Sequence, residues 1–128
     1  MKIKEIFDST MGILSKNDIT VSESDFKERA PFIIAMFCCN TAAVDRDLRE
    51  SHGFPTQKHF NEVFLDMEED FPLDSRFSTP AAYYLAAMLI MDEKENVSDR
   101  LFDLFSNNIS EVIKEIPSRK HKIINVYP

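Results

Sequence analysis

Glycine is scarce in this chain: Gly12 and Gly53 are the only two among 128 residues. Phosphate-cradling turns need glycines whose amides can approach a ligand closely, so glycine-rich nucleotide sites are nearly excluded at the outset. Cysteine is equally scarce, and Cys38 and Cys39 are neighbours in the chain. With no third cysteine to pair with, this is the usage of a reducing compartment and not of a disulfide framework. Bases are outnumbered by acids, 15 to 22, which gives a formal charge of −7 and a pI of about 4.9. Such a surface repels nucleic acid, whose phosphates require clustered Lys and Arg. Long apolar runs are missing too. The longest nearly uncharged stretch, residues 32–44, is interrupted by Asn40 and Thr41 and is too short to span a bilayer. Met1-Lys2-Ile3-Lys4-Glu5 holds no apolar signal core, so synthesis in the cytosol with no membrane association is expected.

Catalytic constellations are missing as well. Nucleophilic and acid–base sites need a base held beside its partner. The three histidines are His52, His59 and His121, and His52 and His59 are seven apart with no clear acid companion at ligand spacing. His52 falls at an expected helix C-terminus, where a cation is favourable for structural reasons. Neither H-E-x-x-H nor paired C-x-x-C occurs. Cys38 lies in an apolar stretch and reads as an inert core thiol. Asp92, Glu93 and Glu95 match no calcium-loop spacing and read as a solvated turn. The expectation is therefore a protein without cofactor or metal, which binds other protein and is not an enzyme.

What is present suits one helical domain. A chain of 128 residues that is 44% hydrophobic can bury its own core without staples. Residues 2–14 place Ile3, Phe7 and Leu14 on one helical face, with Ile6 and Ile13 beside it. Residues 15–20 read as a loop. Residues 22–51 predict a second helix capped by Ser22, with Asp25 completing a short capping box. Pro31 predicts a kink or break near Ala30, and Gly53 predicts the stop. Phe32, Ile33, Ile34, Met36, Phe37, Val44 and Leu48 form an apolar surface too broad for one contact, so this helix is either deep in the domain or pressed against another subunit. Residues 54–73, bracketed by Pro55 and Pro72, predict irregular structure with some helix. Thr79 followed by Pro80 predicts the start of a third helix running to Glu93, with Ser75 as an earlier alternative. Residues 94–97 read as a polar turn. Ser98 is expected to cap a fourth helix that Pro117 ends after Ile116. The last residues hold Ile123, Ile124, Val126 and Tyr127, read as an extended arm or edge strand. The fold class is thus mainly α: a bundle of about four helices over residues 1–119, with an extended C-terminal arm at 120–128.

Charge is uneven along the chain. Residues 66–74 carry Asp66, Glu68, Glu69, Asp70 and Asp74 with no base, whereas Arg119-Lys120-His121-Lys122 has no acid. Charge runs are usually solvated faces. The sharper reading is that the basic tail of one copy meets the acidic surface of a neighbour.

One stretch resembles a known family. Asp70-Phe71-Pro72-Leu73-Asp74-Ser75-Arg76-Phe77 is followed by Ala82-Tyr83-Tyr84-Leu85-Ala86-Ala87-Met88-Leu89, then Asp92-Glu93 and Val97-Ser98-Asp99-Arg100-Leu101-Phe102. The end is Ile116-Pro117, then Lys122-Ile123-Ile124-Asn125-Val126-Tyr127. This order resembles the small helical head–tail connector, or adaptor (head completion), proteins of tailed bacteriophages, over about the last half of the chain. The resemblance implies a structural protein of the virion, made in the host cytoplasm. It would form a ring of about twelve copies that closes by rotation. The implied partners are further copies of itself, the portal protein, and a tail or second adaptor protein, with DNA passing nearby without specific binding. No catalytic residue is carried over. The interface residues expected are Tyr83 and Tyr84 on the third helix and Ile123, Ile124, Val126 and Tyr127 in the arm. A small helical phage or bacterial protein that binds and inhibits a host partner is the alternative reading.

Overall fold

The computed structural model describes residues 1–20, 22–56 and 60–116. The expected arm at 120–128, with its interface residues, and the Pro117 stop lie outside the described residues. Among the described residues four helices are present: α1 (Ile3–Lys16), α2 (Glu23–Ser51), α3 (Ser78–Ile90) and α4 (Glu95–Ile113), with a 3-10 turn at Ser75–Phe77 leading into α3. Among the described residues the only sheet-like pairing is one antiparallel bridge between Lys2 and Asp70. The mainly α expectation holds.

The hub is α3, which packs against α1, α2 and α4. Its alanines explain why. Ala81, Ala82, Ala86 and Ala87 are buried on several sides of the helix, and their small side chains let three neighbours approach its backbone. Leu85 and Ile90 fill what remains and are fully buried, each worth about 2 kcal/mol over exposure. Against this hub α1 lays Ile3, Ile6, Phe7, Thr10 and Leu14, spaced three or four apart as one helical face requires. The buried Thr10 hydroxyl is within donating distance of the carbonyls of Ala82, 3.1 Å away, and of Ile6, 3.0 Å away.

Pro31 does not break α2, which runs continuously from Glu23 to Ser51. A proline removes one ladder donor, here the partner of the Lys27 carbonyl. Burial of Phe26, Ala30, Ile33, Ile34 and Phe37 on both sides of it holds the helix together. Ser22 occupies the cap position, but its side chain makes no cap hydrogen bond. At the other end Gly53 is left-handed at φ 72°. The Phe54 N–H reaches the Arg49 carbonyl at 2.8 Å and the Gly53 N–H reaches Glu50 at 3.2 Å, the paired bonds of a Schellman stop.

The expected caps of the last two helices are corrected in the same way. Thr79 lies inside α3. The chain turns at Asp74, whose carboxylate accepts the Arg76 N–H at 3.0 Å, so the earlier start near Ser75 is the one realised, as a 3-10 turn. α3 ends at Ile90, short of Glu93. Ser98 does not cap α4, because the helix already begins at Glu95. Instead Ser98 is buried and donates to the Ala87 carbonyl at 2.8 Å, pinning α4 to α3. Residues 60–70 form neither helix nor strand. They cross the outside of α2, where Leu65 is buried and its N–H donates to the Pro31 carbonyl at 3.2 Å.

Candidate protein-interaction surface

Helix α2 is apolar around too much of its circumference for one core to cover. Ile33, Ile34 and Phe37 turn inward, while Phe32 and Met36 stay 54% and 44% exposed. The strand-free segment after Phe60 runs antiparallel beside them. Its direction follows from two bonds: the Cys39 thiol donates to the Glu62 carbonyl at 3.3 Å, and Leu65 bonds Pro31. This places Val63, 77% exposed, next to the outer face of α2. Phe64 meets the Phe32 ring edge-on, with centroids 5.1 Å apart. Phe32, Met36, Cys39, Glu62 and Val63 line a shallow groove of about 360 Å³, and its wall is almost wholly apolar.

Tyr83 and Tyr84 are not brought together. Both are half-buried on α3. Tyr84 sits among Phe37, Phe102 and Phe105, with ring centroids 5.4–6.3 Å away. Its hydroxyl donates to the Met36 sulfur at 3.4 Å, so it lies at the inner border of the α2 groove. Burial raises its pKa above the usual tyrosine value. Tyr83 lines a different cleft, between α1 and α3, shared with Ile6, Ile13 and Ala82. Ile123, Ile124, Val126 and Tyr127 lie outside the described residues.

Two features escaped the sequence reading. One is the platform of Val63 and Phe64: Phe60, Val63, Phe64 and Met67 recur at helical spacing, and residues 62–66 equally suit a short strand, whereas the segment is irregular and leaves Val63 and Phe64 outside. The other is Asp45, 4% exposed. Arg49 donates to its carboxylate at 3.0 and 3.2 Å, and the Asp74 N–H donates at 2.7 Å. Arg76 extends this network to Asp74 at 3.4 Å and to Glu115 at 3.2 Å. The network therefore ties α2 to the turn before α3 and to the end of α4. The i, i+4 spacing of Asp45 and Arg49 was its one visible signal.

The reactive side chains are engaged structurally. Burial, with smaller contributions from Cys39 and Asp45, pushes the Cys38 thiol far above its ordinary pKa, which leaves it protonated and unreactive. One ring nitrogen of His52 lies 2.9 Å from the Leu48 carbonyl. Among the described residues no cluster of three or more His, Cys, Asp or Glu side chains is arranged to hold a metal ion, and no helix is long and apolar enough to cross a membrane. No family model, curated protein or solved structure matches the chain.

Proposed function

We propose that the chain is a structural subunit of a tailed-phage virion, a head–tail connector or adaptor that forms a ring between portal and tail. The observation that carries this reading is the apolar face over α2. Phe32, Met36, Val63 and Phe64 stay exposed together on a molecule that otherwise packs α3 on several sides. A contiguous exposed apolar patch is the mark of a protein-binding surface. The stretches that resemble connectors also support it. Phe71, Leu73 and Phe77, within those stretches, lead into the hub helix and are all buried. A ring closed by rotation needs two different lateral surfaces. The α2 groove near Tyr84 and the α1–α3 cleft at Tyr83 are two such surfaces. An acidic subunit also suits a duct through which DNA slides without sticking. In this reading the protein acts by binding and catalyses nothing.

The test is assembly. Purified protein is mixed with portal and tail components of a tailed phage and imaged by electron microscopy. A ring of about twelve copies seated on the portal is the outcome the resemblance implies, its heterologous contacts closing by rotation. Absence of any ring with those components overturns the assignment. A tight equimolar complex with a host enzyme would replace it with the inhibitor reading.

A further inference from the structure

We propose that the α2 groove is the docking site for residues 119–127 of a second copy of this chain. The proposal rests on reading the protein as a self-assembling subunit, and it names the segment and the seat.

The argument starts from order along α2. Beyond Phe64, the outer segment continues into Asp66, Glu68, Glu69 and Asp70, all exposed. Because the segment runs antiparallel to α2, Met67 and Glu68 line one cleft with Glu23 and Lys27 near the start of that helix. Lys2 bonds to this rim, at 3.7 Å from Asp70, and Lys4 borders it. Asp8 and Glu23 border it as well, so the balance stays acidic. Followed from its N-terminus, the outer side of α2 is therefore first acidic, then apolar. The C-terminal sequence has the matching order. Arg119-Lys120-His121-Lys122 is basic, and Ile123-Ile124-Asn125-Val126-Tyr127 is mostly apolar. Laid parallel to α2, this segment sets its bases over the rim and its apolar residues over Phe32, Met36 and Val63 in one pass.

The chain's own tail starts from the wrong end. Glu115 pairs with Arg76, which bonds Asp74, which bonds Asp45, so α4 finishes level with the C-terminal part of α2. Lys27 lies about 27 Å from Asp45 along the helix axis at the standard helical rise. Fully extended from Ile116, the chain carries Arg119 only about 10 Å and Lys122 about 20 Å. A tail folded back from that end also runs antiparallel to α2, which reverses the order of charge and apolarity. Matching both requires a tail that arrives from the α1 end, and therefore from another copy.

Cys39 supplies the test. It lines the groove and is exposed, whereas Cys38 is buried and stays protonated. Full-length protein carrying Ile124→Cys is incubated with glutathione disulfide over a concentration series up to the solubility limit. Oxidation of two thiols to one disulfide is balanced by reduction of glutathione disulfide to two glutathiones. Mass spectrometry should find position 39 joined to position 124 between chains. Non-reducing electrophoresis should show a ladder of multimers, since a head-to-tail contact propagates. The same substitution on a Met36→Asp background should lower the yield about tenfold, the loss of about 1.4 kcal/mol of contact. An intrachain 39–124 disulfide, no such disulfide at any concentration, or a yield indifferent to Met36→Asp overturns the proposal. Portal rings that form without the cross-link sink the docking site alone. A ladder without portal binding sinks the connector assignment alone.

Discussion

Around α3, Phe77, Leu85 and Ile90 are sealed completely, while on the outer side of α2 Phe32 and Val63 remain 54% and 77% exposed. The two regions use similar side chains and differ in what surrounds them. α3 has a helix on three sides, and its alanines let those helices close in. Among the described residues the outer side of α2 has one irregular segment, held to α2 by two hydrogen bonds and the buried Leu65. Apolar area inside the hub stabilises the fold. Apolar area on the outer face stays in contact with water; in the proposed reading it serves association, which would displace that water.

Substitutions should therefore sort by region. The largest effect is expected at the hub: Phe77→Ala should cost about 4 kcal/mol by removing a fully buried ring, read by urea unfolding. Next comes the network joining α2 to the hub. Asp45→Ala should cost about 3 kcal/mol, because Arg49 and the Asp74 amide lose their acceptor in a buried setting. The double variant with Arg49→Ala should cost less than the sum of the two single changes. A loss at Asp45 as small as that of a surface residue would break the claim that the network is structural.

Tyr84 stands at the border and should have a small effect with a definite sign. Tyr84→Phe removes one weak bond to sulfur and should cost about 0.5 kcal/mol near neutral pH. Burial favours the neutral phenol, so the folded-state pKa is raised. Below about pH 10, the ordinary tyrosine value, both folded and unfolded Tyr84 are neutral and its contribution is fully present. Above it the unfolded chain ionises first, so stability falls until the folded phenol ionises too. Tyr84→Phe should flatten this alkaline decline in unfolding curves collected across that range. An unchanged slope would show that the ring is not desolvated.

The smallest effect on stability belongs to the outer face. Phe32→Ser should shift unfolding by no more than about 0.5 kcal/mol, while self-association followed by sedimentation should weaken. A large loss of stability there would mean that the face belongs to the core.

The helices were legible where period and composition agreed. Ile3, Phe7 and Leu14 repeat at helical spacing and are buried together, and Gly53 stops α2 in the left-handed conformation. Caps were less legible. Ser22, Thr79 and Ser98 all look like starts in one dimension, yet none makes the cap bond. Ser98 is drawn instead to the Ala87 carbonyl by α3 beside it. Of the kink or break that Pro31 predicts, the break is not realised, since a local rule for breaking helices met the burial of Ala30, Ile33 and Ile34 on either side. Of the interface residues expected on α3, Tyr84 reaches the groove border and Tyr83 faces another cleft.

By itself the sequence determined the helical class, the amphipathic face of α1, the small-residue character of α3, and a surplus of apolar residues on α2 that one core could not absorb. Those properties depend on neighbours along the chain, which local period and side-chain size report. Only the tertiary structure decided which part of that surplus stays open. The choice depends on where residues 60–70 cross α2 and on the bond from Leu65 to Pro31, thirty-four residues away in sequence. It also decided that Asp45 is buried, because that required Arg49 and the Asp74 amide to converge on one carboxylate. Contacts between distant segments leave no periodic trace, so they become visible only once the helices have packed.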